Sequence, residues 1–222
     1  VIIQSFSPPN VSDNIIELLM MMDAAASASA RSIHAVIPYY SYARSDKKDE
    51  PRISIAGRLM ADLITTAGAT HVMTMTLHSP QVHGFFSVPT DHLTARPIFV
   101  QHFRKRDLSR TVVVSPDIGH AKRATSLARE LGVGVAAGDK TRVSDTEVVL
   151  NTIIGDIKGK DVIVFDDEIA TGGSIIALVK SLREGGVRRI TLSCTHGVFS
   201  GNAIKLLAEL DDIEEIVTTN TV

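Results

Sequence analysis

Val162-Ile163-Val164-Phe165-Asp166-Asp167-Glu168-Ile169-Ala170-Thr171-Gly172-Gly173-Ser174 is the stretch on which the fold turns. The apolar run Val162–Phe165 carries no charge, as expected of a strand covered on both faces. Ser174–Glu184 predicts a helix, stopped by Gly185 and Gly186. Between strand and helix lie adjacent carboxylates, a hydroxyl, two glycines and a second hydroxyl. Glycines let backbone N–H groups come close to phosphate oxygens, and a helix N-terminus adds the positive end of its dipole. Thr171 and Ser174 add hydroxyl donors. Asp166 and Asp167 can accept from sugar hydroxyls, or hold a divalent cation directly or through water. An ordinary capped connection would explain the acidic pair, but not the pair together with Thr-Gly-Gly-Ser. The segment suits a phosphorylated sugar.

Outward from this unit the same scheme recurs. Towards the C-terminus, Ile190–Cys194 predicts a strand, Ala203–Leu210 a helix and Ile216–Thr218 a last strand. Towards the N-terminus, Val112–Val114 predicts a strand and Lys122–Leu131 a helix closed by Gly132. Earlier still, Val1–Ile3, Ile33–Ile37 and His71–Leu77 predict strands. Ser12 or Asp13 can cap a helix with apolar positions Ile15, Ile16, Leu18, Leu19 and Met22. Ile55–Ala67 predicts another, ending at Gly68. Strands alternating with helices imply α/β architecture, here two doubly wound parallel-sheet domains. The break is placed at Arg96–Pro97, giving domains 1–95 and 96–222. In such sheets ligands sit beyond the carboxyl ends of the strands.

Composition narrows the class. Hydrophobic residues make up 44%, charged residues 22% and aromatics 5%, with no Trp, so the core is largely aliphatic. A net charge of −2 leaves no overall electrostatic footprint for nucleic acid or anionic membranes. No apolar run reaches the ~18 residues of a membrane span, and no signal-peptide pattern opens the chain. Cys194 is the single cysteine and lies in an apolar run, so it reads as a buried structural thiol and the compartment as reducing, hence cytoplasmic.

The Asp166–Ser174 loop resembles the sugar-phosphate loop of type I phosphoribosyltransferases. Further segments resemble a narrower family. They are Gln4-Ser5-Phe6-Ser7-Pro8-Pro9-Asn10, Ile37-Pro38-Tyr39-Tyr40-Ser41-Tyr42-Ala43-Arg44, Leu77-His78 with Gly84-Phe85-Phe86, and Pro89-Thr90-Asp91-His92-Leu93. Val114-Ser115-Pro116-Asp117, Thr195-His196-Gly197-Val198-Phe199-Ser200-Gly201 and Val217-Thr218-Thr219-Asn220-Thr221 complete the set. In order and spacing the chain is similar throughout to ribose-phosphate pyrophosphokinases. That resemblance implies a domain of phosphoribosyltransferase-like fold binding ATP, a second binding ribose 5-phosphate, and transfer of pyrophosphate with Mg2+ as cofactor. It implies ATP contacts for Arg44, Lys47, Asp49 and His78, and metal contacts for His78 and Asp117. Asp166, Asp167, Thr171, Gly172, Gly173 and Ser174 would hold ribose 5-phosphate. Lys140 and Arg142 would be catalytic, and Arg52 and Asp91 would match regulatory positions. It also implies a dimer-based homo-oligomer, a hexamer in the family. By residue type alone these positions are bland. Asp46–Asp49 is a solvated charge run, His78 a satisfied polar residue at a strand end, and Lys140-Thr141-Arg142 a polar loop.

The chain departs from the family pattern at several places. Thr76 and Ala170 stand where acids are common, Ser45 and His83 where Gln is common, and His120 where a glycine is common. Losing two acids would weaken or redirect metal binding, and admits a catalytically weak regulatory homologue as the alternative. A phosphoribosyltransferase proper would need only the sugar-phosphate loop. The expected N-terminal Phe-Ser-Asp-Gly-Glu segment and the final strand and helix are missing, so the chain reads as truncated at both ends.

Overall fold

The computed structural model describes residues 1–142 and 148–222, with side chains for all of these except 140–142 and 148–151. Two compact units result, Val1–Ala95 with Thr221–Val222, and Arg96–Asn220.

The first unit is a four-stranded parallel sheet in the order β1 (Ile2–Ile3), β2 (His34–Ile37), β3 (His71–Met75), β4 (Thr90–Leu93). Each strand is added on the same side of the last. Right-handed crossovers then place α1 (Val11–Ser27) and α2 (Ala56–Thr66) on one face. Their Ile15, Leu18, Met22, Ala61 and Ile64 pack with Ala35, Ile37 and Val72 in one core. The alternate strand residues His34, Val36, His71, Met73 and Met75 are only half-buried. α1 begins at Val11 after Asn10, so Ser12 and Asp13 lie in its first turn rather than capping it. Between β2 and α2 the chain makes a 3-10 turn over Ser41–Arg44. Buried Tyr40 donates its hydroxyl to the Gly57 carbonyl at 2.9 Å. A Cβ on Gly57 would meet the Ser45 and Tyr42 carbonyls at 3.0 and 3.1 Å, so glycine lets the turn lie against the helix.

The second unit carries α3 (Arg96–Phe103) and a six-stranded sheet. Its order is β10 (Ile213–Thr219), β9 (Arg189–Gly197), β8 (Asp161–Ile169), β5 (Thr111–Ser115), β6 (Gly134–Arg142), β7 (Val148–Ile154). β5 is buried at every position and β8 and β9 nearly so. This agrees with the uncharged runs that predicted them. α5 (Gly173–Glu184) and α6 (Ala203–Ala208) cover the face of Val112, Val114, Val162, Val164 and Leu192. α4 (Ala121–Leu131) packs on β5 and β8, and Phe99 of α3 meets Phe165 edge-on with ring centroids 5.4 Å apart.

Two features differ from the expected scheme. β6 and β7 pair antiparallel, so the sheet is not wholly parallel. β8 also runs past Phe165 to Ile169, because its ladder with β9 continues through Glu168↔His196 and Ile169↔Gly197. The acidic residues therefore belong to the strand, and the loop proper is Ala170–Gly172.

Candidate sugar-phosphate and nucleotide sites

Strand order locates the second unit's ligand end. From β5 the chain moves one way to β6 and then returns to β8 on the other side. This reversal is a topological switch point, where open α/β sheets bind ligands at the strand carboxyl ends. β5 delivers Asp117 there and β8 delivers Asp166 and Asp167.

α5 starts at Gly173 behind Gly172, whose φ of 82° is left-handed. That conformation costs a residue with a Cβ ~1–2 kcal/mol and costs glycine almost nothing. No side chain caps this helix start, and a Cβ on Gly173 would meet nothing within 4 Å. The backbone N–H groups of the first turn have no intrahelical partner, and exposed Thr171 and half-buried Ser174 flank them in sequence.

The acidic side of the site is built from two strand ends. Asp167 is buried, with its Oδ1 3.3 Å from Nη1 of Arg123 on α4. Asp166 retains a little surface as a residue and accepts from the Asp167 N–H at 2.8 Å. Desolvation of its carboxyl, reinforced by the Asp167 charge, pushes the Asp166 pKa well above the usual carboxylate range. Asp117 accepts from the His120 N–H at 2.8 Å, and its oxygens lie 3.0 and 3.1 Å from His120 Nδ1. That bond outweighs desolvation and raises the imidazole pKa, with the charges of Asp117, Asp167 and Asp166 adding to the effect. Such a carboxylate-rich cluster offers the hard oxygen donors that Mg2+ prefers. Cys194, beneath it in β9, is a buried thiol pushed up to about 12 by desolvation.

In the first unit Arg44 is exposed at the end of the 3-10 turn. Lys47 and Asp49 form a 3.2 Å ion pair with both side chains 69% exposed, so water screens it. Ser45 ties the turn to the start of α2, where its Oγ accepts from Ala56 N at 2.9 Å and its carbonyl from Gly57 N at 3.0 Å. Arg52 has φ 65° and Thr76 φ 43°. For a β-branched residue the left-handed region is strained. Thr76 is held there by the Ala95 N–H, which donates to its Oγ1, and by its own N–H donating to Leu93. His78 follows two residues later and is half-buried. Asp91 lies on β4 against His71. The side chains of Lys140 and Arg142 lie outside the described residues; their backbone belongs to β6.

Of the expected site residues of the second unit, Asp117, Asp166, Asp167, Thr171, Gly172, Gly173 and Ser174 lie at the carboxyl ends of β5 and β8. Those of the first unit divide between the 41–55 loop, the end of β3 and β4. Sequence reading did not assign roles to Arg123 or His120. His120 carried a signal in its spacing from Asp117, while the Arg123–Asp167 pair joins residues distant in sequence.

Comparison with known proteins decides the family. The model described as the N-terminal domain of ribose phosphate pyrophosphokinase matches residues 1–68, and that of the phosphoribosyl synthetase-associated domain matches 143–222. A putative ribose-phosphate pyrophosphokinase of Streptomyces coelicolor is 58% identical over 96% of this chain and 67% of its own length. The chain belongs to the ribose-phosphate pyrophosphokinase family. The Deinococcus radiodurans family member is 56% identical over all of this chain and 69% of its own length. A crystal structure of phosphoribosylpyrophosphate synthetase from Mycobacterium smegmatis matches at TM-score 0.91 and 40% identity, over 99% of this chain and 72% of that one. No helix among the described residues is long and apolar enough to cross a membrane.

Proposed function

We propose that this chain transfers pyrophosphate from ATP to the anomeric hydroxyl of ribose 5-phosphate, forming phosphoribosyl pyrophosphate and AMP. The observation that carries the reading is the switch-point site, where the uncapped N-terminus of α5 stands beside Asp166 and Asp167. Backbone N–H groups of Gly173 and its neighbours, with Thr171 and Ser174, would take the 5-phosphate. Asp166 and Asp167 would accept from the ribose hydroxyls. Arg44, Lys47, Asp49 and His78 would bind ATP, where arginine offers a permanent charge and a bidentate fork.

Mg2+ is the proposed cofactor, with Asp117 supplying an oxygen donor and His78 a nitrogen; when bound it neutralises phosphate charge. In the reaction the anomeric oxygen bonds to the β-phosphorus, the bond from that phosphorus to the AMP oxygen breaks, and the hydroxyl proton leaves. Lys140 and Arg142 would stabilise negative charge on the transferred group, since such transfers depend on positioning and charge neutralisation. Arg52 and Asp91 are proposed regulatory positions, cytoplasm the compartment, and a dimer-based homo-oligomer the assembly.

Incubation with ATP, Mg2+ and ribose 5-phosphate tests the reading, with AMP and phosphoribosyl pyrophosphate as the expected products. Gly173→Glu should abolish ribose 5-phosphate binding in calorimetry, because a carboxylate would face the phosphate where a Cβ meets no atom. Unchanged binding in that variant refutes the site.

A further inference from the structure

His34 opens β2 and His71 opens β3, and the parallel register sets them side by side. Both lie on the sheet face opposite the α1–α2 core, at the strand starts, away from the end where α/β sheets bind ligands. Their rings meet edge to face with centroids 5.1 Å apart, and their Nδ1 atoms are 3.1 Å apart. On its other side His71 points Nε2 at Asp91 Oδ2, 3.1 Å away. A carboxylate can only accept, so this contact places the His71 proton on Nε2. The neutral ring then carries its lone pair at Nδ1, the nitrogen 3.1 Å from His34 Nδ1.

We propose that His34 and His71 bind a divalent transition-metal ion through their Nδ1 atoms, with Asp91 as the positioning residue that orients His71. Imidazole nitrogen suits Cu2+, Ni2+ and Zn2+, whereas Mg2+ prefers oxygen. With metal–nitrogen bonds of ~2.1 Å, nitrogens at this spacing subtend roughly 95° at the ion. That is the angle between neighbouring ligands of a square-planar or octahedral ion, so Cu2+ and Ni2+ fit better than tetrahedral Zn2+. Carboxylate, histidine and metal in line is also the arrangement that fixes the tautomer and raises ligand basicity at metal sites. His34 and His71 are both half-buried, and the His71 side chain is 20% and the Asp91 side chain 58% exposed. The competing account is a plain histidine–histidine hydrogen bond, which predicts no metal affinity.

Calorimetric titration with Ni2+, without nucleotide, should be run on the chain and on His34→Gln, His71→Gln and Asp91→Asn, with far-UV circular dichroism to check folding. Either glutamine variant should lose at least about tenfold in affinity for one site, and Asp91→Asn should lose ~10–100-fold. Cu2+ electron paramagnetic resonance of the unmodified chain should show two coordinated imidazoles, a readout that needs no variant to fold. Identical Ni2+ isotherms in the parent and both glutamine variants, or at most one imidazole on copper, overturn the site.

Discussion

His120 places a titratable cation among carboxylates, and its contribution to stability should follow pH. Its folded pKa is raised above the ordinary imidazole value, chiefly by the bond to Asp117. The stabilisation is therefore complete below the unfolded pKa of ~6.5 and lost as pH rises through the folded one. His120→Ala keeps the backbone N–H that bonds Asp117 and removes only the ring. In denaturant unfolding the variant should lose about 1–2 kcal/mol at pH 6 and clearly less at pH 9. Equal losses at the two pH values would show that the ring acts by packing alone. Lys140 is a different kind of residue, proposed from family resemblance. Lys140→Ala should lower turnover by roughly 10²–10³-fold with unchanged thermal stability, the size of effect expected for one lost transition-state donor. Near-normal turnover refutes its role. The strand–loop–helix pattern of Asp166–Ser174 was legible because it is contiguous. Arg123 against Asp167 was not, because nothing in either local segment names the other.

Elements explain why these side chains stay in place. The sharp turn from β8 into α5 depends on Gly172, whose φ is 82°. Gly172→Ala should cost ~1–2 kcal/mol of stability and weaken ribose 5-phosphate binding, both measurable by calorimetry. A variant of parent stability would show that the turn relaxes freely. At the opposite end of the sheet, Asp161 at the start of β8 accepts from Arg188 and Arg189 at 2.7–3.2 Å, apart from one shorter Arg188 contact. Desolvation works to raise its pKa, but the two arginines more than offset this and hold it at about 2. A depressed carboxylate stabilises above the unfolded pKa and loses that contribution as pH falls from ~3.8 through about 2. Both arginine side chains are 48% exposed, so water screens the cluster. Asp161→Asn should be less stable than the parent at pH 7, and the gap should shrink as pH falls through about 2. An undiminished gap across that range would exclude the ionic origin. The strands β5, β8 and β9 were legible from uncharged runs. The antiparallel β6–β7 pairing was missed, since a polar Gly-Asp-Lys-Thr-Arg segment has no strand-like alternation and pairs only because a neighbouring strand is available.

At the scale of the molecule, the chain divides into compact units, each with its own core. A ligand that binds one folded unit should stabilise that unit by mass action. Ribose 5-phosphate at about 100 times its dissociation constant should add ~2.7 kcal/mol to unfolding of the second unit, read by near-ultraviolet circular dichroism. No shift at saturating ligand would place the sugar phosphate elsewhere. The α/β class, the aliphatic cores and the family were all readable along the chain. Each of these is written in residues that are neighbours in sequence or recur at a strand or helix period. Folding in three dimensions was needed to set the winding, one-directional in unit 1 and reversing at β5 and β8 in unit 2. It was needed too for joining Arg123 to Asp167, and His34 to His71 and Asp91. The physical reason is that strand order and cross-strand contacts depend on which apolar faces can be buried together. That choice is made by the whole chain at once, not by any local stretch.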